Sequence, residues 1–127
     1  MTQASAGLHE SDEVLKPETV DRHRAIASLM EELEAVDWYD QRVEATQDNE
    51  LRALLAHNRD EEKEHAAMVL EWLRRKDKKM DQQLRTYLFT EGSILEAEEG
   101  SSEGGASPGS AADDSLGIGS LREGVRQ

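Results

Sequence analysis

The sequence predicts an all-α protein: an antiparallel two-helix hairpin with a short C-terminal helix, doubled into a four-helix bundle when two chains pair. Three observations carry this. Residues 17–95 are rich in Leu, Ala, Glu, Arg and Lys, with no proline after Pro17 and no glycine before Gly92. Apolar residues in that stretch recur at steps of three and four, the period of a helix with one covered face. The polar interruption "TQDNE" (46–50) falls between two such runs, where a hairpin would turn.

Residues 1–16 form a polar N-terminal arm ahead of the helical domain, 17–95. Pro17 and Glu18 suit a first helical turn, where the missing N–H is harmless and a negative charge meets the helix dipole. The first helix then carries Ile26, Leu29, Met30, Leu33, Val36 and Val43. Asp48 is the expected N-cap of the second helix. That helix carries Leu51, Leu54, Leu55, Val69, Leu70, Trp72 and Leu73, and ends in Arg74, Arg75 and Lys76, which suit a C-terminal dipole. A third, shorter helix is expected near 80–89, with Leu84, Tyr87 and Leu88. Two long helices cannot cover each other's apolar faces, so Trp72, Leu73, Leu84 and Leu88 are expected to meet another subunit.

Composition changes at residue 96. Residues 96–114 are dominated by Gly, Ser, Ala and acids and read as a disordered acidic linker. The last stretch, "SLGIGSLREGVRQ" (115–127), breaks that composition. Leu116, Ile118 and Leu121 are separated by Gly and Ser, a form suited to lying extended in a groove with aliphatic anchors.

The bulk numbers narrow the function classes. A chain of 127 residues, 4% aromatic and 34% charged, makes one small domain with a thin core. Domains of that kind lean on metals or oligomerisation for stability, and with no cysteine no disulfide can help. The first sixteen residues lack an apolar h-region, and no apolar run approaches the roughly 18 residues of a membrane span, so a cytoplasmic location is expected. The net charge of −13 makes nucleic acid a poor partner and is compatible with drawing cations.

One constellation stands out. Along the first helix, Leu29, Glu32, Val36, Tyr39 and Val43 form one stripe, which Glu32 interrupts. Along the second, Leu51, Leu55, Asn58, Glu62, His65, Val69 and Trp72 form a stripe that is apolar at both ends and polar in the middle. Glu62 and His65, three apart, share a face, and the antiparallel registers put Glu32 opposite them. Buried charges are costly unless paired or metal-bound. One Glu facing a Glu-x-x-His is half of the di-iron carboxylate signature of four-helix bundles; a symmetric dimer would supply the other half. Oxygen and imidazole donors suit iron.

The other polar residues have ordinary readings. Glu61 and Glu64 flank the seam and read as surface. His9, His23 and His57 read as structural or solvated, and Arg22, Arg42, Arg52 and Arg59 as partners of helix acids. Tyr39 on such a stripe is more often core than redox participant. Glu31, Glu34 and Trp38 form a second stripe, either a solvated face with one interfacial Trp or a metal entry path. The sequence contains no Gly-rich phosphate loop and no cysteine nucleophile, and nothing in it supports a serine triad.

The stretches "RHRAIASLMEELEAVDWYDQRVEA", "LAHNRDEEKEHAAMVLEWLRR", "LRTYLFTEG" and "SLGIGSLREG" resemble the encapsulated ferritins, ferritin-superfamily cargo proteins of encapsulin nanocompartments. The resemblance implies a ferritin-like four-helix bundle made by dimerisation, and dimers joined into a ring-shaped decamer. It implies a ferroxidase that oxidises Fe(II) with O2 and feeds iron storage inside an encapsulin shell. The metal ligands would be Glu32, Glu62 and His65 from both chains, holding two iron ions per subunit-pair site, with Tyr39 close by. Glu31 and Glu34 would form an entry site beside Trp38, and calcium or other divalent ions would suit acidic interface sites. Residues 115–127 would be the localisation peptide that docks on the shell's inner wall, which places the protein in the cytoplasm inside a nanocompartment. Two alternatives remain open at this level: a non-enzymatic helical cargo or adaptor protein, and another di-iron carboxylate enzyme such as a rubrerythrin-like peroxidase.

Overall fold

The structure, a computed structural model, describes residues 7–105, with side chains described over 7–100. Among these residues there are four helices and no strand: α1 (Pro17–Ala45), α2 (Asn49–Lys76), α3 (Lys78–Tyr87) and α4 (Ile94–Gly105). None of the four is long and apolar enough to cross a membrane. The localisation peptide expected at 115–127, residues 106–114 of the expected linker and the first six residues of the arm lie outside the described residues.

Helix α1 starts with Pro17 in its first turn and Glu18 beside the helix N-terminus, as the sequence predicts. It ends at Ala45, where the Thr46 N–H donates to the Arg42 carbonyl at 3.0 Å. Asp48 caps α2: its Oδ1 accepts the Leu51 N–H at 2.8 Å. Arg52 clamps the turn between the helices. Its guanidinium donates to the Val43 carbonyl at 3.3 Å, to the Thr46 carbonyl, and to Asn49 Oδ1 at 2.7 Å. Orphan carbonyls at the end of α1 are thereby satisfied by a cation, which is favourable at a helix C-terminus. Arg52 was expected to pair with helix acids; two of its three partners are backbone carbonyls and the third is an amide, because the turn brings carbonyls nearer to it than any carboxylate.

Helices α1 and α2 pack as a hairpin. Arg59 of α2 reaches across to Asp40 of α1 at 3.1 Å. The buried apolar residues among those described are Ala66 and Leu73, the latter 2% exposed. They are seven apart, on one stripe of α2. Leu73 therefore departs from the expectation that it meets another subunit: it lies about 100° around the helix from Trp72, and the chain itself covers it. Trp72 and Leu88, from the same expected set, are exposed, and Leu84 is half-buried. Leu33, Trp38, Leu54 and Met68 are also about half exposed. The hairpin thus leaves much of its apolar surface exposed among the described residues.

Helix α3 begins two residues before the expected start, because Asp77 Oδ1 accepts the Met80 N–H at 3.0 Å and caps it. It ends at Tyr87, with the Leu88 N–H on the Leu84 carbonyl at 2.8 Å. Phe89 follows with a φ of 65° and full exposure, and Gly92 has a φ of 84°. These two left-handed residues make the turn. Glycine suits that conformation; a phenyl side chain does not.

Helix α4 corrects the sequence reading, which began a disordered linker at 96. Ser93 Oγ accepts the Glu96 N–H at 3.2 Å, and the Ala97 N–H bonds the Ser93 carbonyl at 3.1 Å. The run Ser93-Ile-Leu-Glu96 has the spacing of a capping box, and it starts a helix that the Gly and Ser content of the region hides.

Candidate metal centre

Glu32 stands midway along α1, and Glu62 and His65 stand midway along α2. The hairpin turn sets the register that brings them together. His65 Nδ1 lies 3.6 Å from Glu32 Oε1 and 3.4 Å from Glu62 Oε1. One donor atom from each of the three side chains lies within 4.8 Å of the other two. Among the described residues this is the one group of three or more such side chains so placed. Glu62 is four residues before Ala66, on the covered stripe of α2. His65 is one residue off that stripe and correspondingly more open: its side chain is 44% exposed, against 26% for Glu32 and 25% for Glu62.

The electrostatics follow from two acids in one site. The Glu32 carboxyl is pushed above its ordinary range, first by its hydrogen bond with Glu62, then by burial and by the Glu62 charge; His65 opposes this. Glu62 is pulled below its ordinary range by that same bond and by His65, against a smaller opposing effect of burial. The two carboxyls are thus driven apart in acidity, Glu32 upward and Glu62 downward. The donor set, two carboxylates and an imidazole, fits a divalent transition metal.

Glu31 is exposed and Glu34 half-buried; neither joins a group of three donor atoms among the described residues. Trp38 is half exposed and Tyr39 half-buried, seven residues after Glu32 on its stripe. Glu61 and Glu64 are exposed, as expected for flanking acids, and Glu61 pairs with the exposed His57 at 3.1 Å. Arg42 departs from its expected pairing with acids. Its guanidinium carbon sits 5.9 Å from the Trp38 ring centroid and 5.5 Å from that of Tyr39. The signal was present in the sequence: an arginine three and four residues after two aromatics faces both of them on a helix.

Residues 7–91 match the EncFtn-like family. The chain is 64% identical to the "Encapsulated ferritin-like protein" of Rhodospirillum rubrum over 129 residues, covering 96% of this chain and 92% of that protein. It is 54% identical to the "Ferritin-like protein" of Thermotoga maritima, over 80% of this chain and 89% of that one. It is 35% identical to the "Encapsulin nanocompartment cargo protein EncC" of Myxococcus xanthus, over 72% and 76%. Among solved structures, the protein ne0167 of Nitrosomonas europaea superposes with a TM-score of 0.68 at 62% identity, covering 69% of this chain and 97% of that one.

Proposed function

The chain belongs to the EncFtn-like family of encapsulated ferritins, and from that premise we propose that it is a ferroxidase, taking Fe(II) as substrate and passing its electrons to O2. The observation that carries this reading is the convergence of Glu32, Glu62 and His65 on one point of a hairpin whose face is left open. Three donors from one chain make half a site. A second copy, related by a two-fold axis, supplies Glu32, Glu62 and His65 again and covers the exposed apolar residues at the same time.

In this reading each side chain has a separate task. Glu32 and Glu62 offer hard oxygen donors that favour the ferric product electrostatically. Binding of a cation competes with protonation of Glu32, whose carboxyl Glu62 and burial push above its ordinary range. His65 binds through a ring nitrogen in its neutral form. Two Fe(II) bound as substrate between the copies would each give up one electron, O2 would take both with two protons from solvent and leave as hydrogen peroxide, and Fe(III) would leave for the shell interior. Glu31 and Glu34, beside Trp38, form an acidic approach for incoming iron, or for calcium and other divalent ions.

The encapsulin context of the named relatives extends the proposal. Dimers assemble into a ring-shaped decamer, and residues 115–127 dock on the inner wall of a shell protein in the cytoplasm. The direct test is aerobic Fe(II) oxidation by the purified chain and by Glu62→Ala and His65→Ala. Oxidation by the variants at the wild-type rate would remove the catalytic reading. An absence of metal binding altogether would favour a helical adaptor.

A further inference from the structure

We propose that Arg42 is a positioning residue that clamps Trp38 and Tyr39 into one cation-capped aromatic unit and holds both rings in the reduced state. The inference rests on the ferroxidase reading for its biological purpose, but not for its physical content. Three observations carry it. The guanidinium lies 5.9 Å from one ring and 5.5 Å from the other, so a single cation faces both. Trp38, Arg42 and Gln41 line an open groove, so in the isolated chain the unit lies where solvent and small oxidants reach it. Tyr39 follows Glu32 by two turns on the same stripe, about 10 Å along the helix, and is half-buried.

The chemistry is electrostatic. A positive charge over a ring face is attracted to the electron density of the neutral ring. When the ring loses an electron that attraction turns to repulsion. Arg42 therefore raises the one-electron potential of both rings. A centre that handles iron and O2 exposes its surroundings to one-electron oxidants of the reduced-oxygen class. Trp38 and Tyr39 are the oxidisable rings next along α1 from Glu32. Without the cation, an electron passes from either ring to such an oxidant, and the indole or phenol proton goes to water.

A second pair in the same chain provides an internal control. Lys76 Nζ sits 5.6 Å from the Trp72 ring centroid, so Trp72 depends on a different cation.

The test uses the metal-free full chain and hexachloroiridate(IV), a one-electron oxidant whose Ir(IV) becomes Ir(III) as the ring is oxidised. Loss of each Trp and Tyr is followed by peptide mapping. The reaction is run in 1 M salt, where a Debye length of about 3 Å suppresses steering of the anionic oxidant. Arg42→Gln is expected to speed loss of Trp38 and Tyr39 by about 2- to 5-fold, the rate equivalent of an exposed cation–π contact. Trp72 and Tyr87 should keep their wild-type rates, and Arg42→Lys should recover much of the protection. Lys76→Gln should sensitise Trp72 alone. Wild-type rates at Trp38 and Tyr39 in Arg42→Gln would overturn the proposal, as would equal acceleration at all four rings, which would mark a general loosening.

A second arm repeats the mapping after cycles of aerobic Fe(II) addition. Damage concentrated at Trp38 and Tyr39 in Arg42→Gln supports protection against the centre's own oxidants. No increase there, with Fe(II) oxidation intact, overturns that purpose. Failure of the wild-type chain to oxidise Fe(II) would count against the ferroxidase reading alone, because the metal-free arm stands without it.

Discussion

Glu32 and His65, thirty-three residues apart in sequence and on facing helices, meet with Oε1 and Nδ1 3.6 Å apart. Glu62 Oε1 lies 3.4 Å from the same nitrogen, and its carboxyl pushes that of Glu32 above the ordinary range, so a cation entering the site competes with protonation of Glu32. Metal binding is expected to release protons at a pH near or below the ordinary Glu range of about 4.3 and the raised range of Glu32 above it, with release fading as pH rises and Glu32 becomes ionised before metal arrives. Affinity should fall as the pH falls through the same window. Anaerobic titration with Fe(II) or Co(II) in buffers of different ionisation enthalpy measures the protons released. Glu32→Gln should remove the pH-dependent part.

The two carboxyls have a stability consequence with two opposite signs. Glu32 has a raised value, so its contribution is full below the unfolded-state value and is lost as pH rises through the folded one. Glu62 has a lowered value, so its contribution is present above the unfolded-state value and is lost as pH falls through the folded one. Each shift has the other carboxyl as its first cause, so Glu32→Ala and Glu62→Ala should each weaken both contributions, and the metal-free variants should show similar melting-temperature profiles against pH that differ from the wild type's. Thermal melts between pH 3 and 7, about the range of these carboxylates, check it.

Removal of any one donor should cost more than the roughly 10- to 100-fold in metal affinity that loss of a supporting second-layer partner typically costs. Glu32→Ala, Glu62→Ala and His65→Ala are expected to do so. Glu61→Ala and Glu64→Ala, adjacent in sequence but exposed, are expected to bind metal as the wild type does. Calorimetric titration separates the two groups. Similar losses in all five would mean that the acidic surface as a whole draws the metal.

Much of this centre was legible before any coordinates. Periodicity alone divided the run Asp60–His65 into flank and seam, and it put Glu32 opposite, because helical angles are regular over two or three turns. The caps at Pro17 and Asp48 were legible for the same local reason. Longer-range facts were not. The burial of Leu73 depends on which side of α2 faces α1, an angle finer than a heptad-style stripe resolves. Helix α4 was hidden because Gly and Ser content weighs toward a linker, while the capping box at Ser93 and Glu96 is a four-residue signal inside it. Arg42 lies over two rings although a chain of net charge −13 offers acids to every cation; its spacing of three and four from Tyr39 and Trp38 is a local signal that bulk charge masks.

Helix α2 carries an acid-sensitive clamp near its end. Glu71 is held at about 2 by its hydrogen bonds from Arg74 and then Arg75. Its lowered value means that the contribution to stability is present above the unfolded range of about 4.3 and is lost as pH falls toward 2. The side chain is 40% exposed, so solvent screening keeps the contribution to about 1 kcal/mol or less. Carbon-detected NMR titration of the Glu71 carboxyl should place its midpoint well below those of exposed glutamates, and Glu71→Gln should flatten the acid limb of the melting curve. A midpoint near 4 would show that the two arginines do not hold it in solution.

Two backbone positions give the remaining stability prediction. Asp48→Ala removes the side-chain acceptor for the Leu51 N–H and is expected to cost about 1 kcal/mol. Phe89 holds a φ of 65° with its ring fully exposed. A left-handed conformation costs an ordinary L-residue roughly 1–2 kcal/mol, and glycine avoids that cost while giving back part of it as unfolded-state entropy. Phe89→Gly is therefore expected to stabilise the isolated chain by up to about 1 kcal/mol. Urea denaturation at low protein concentration, where subunit association contributes least, measures both variants on one scale. A destabilised Phe89→Gly under those conditions would mean that the phenyl ring makes contacts in the folded chain that outweigh its strained backbone.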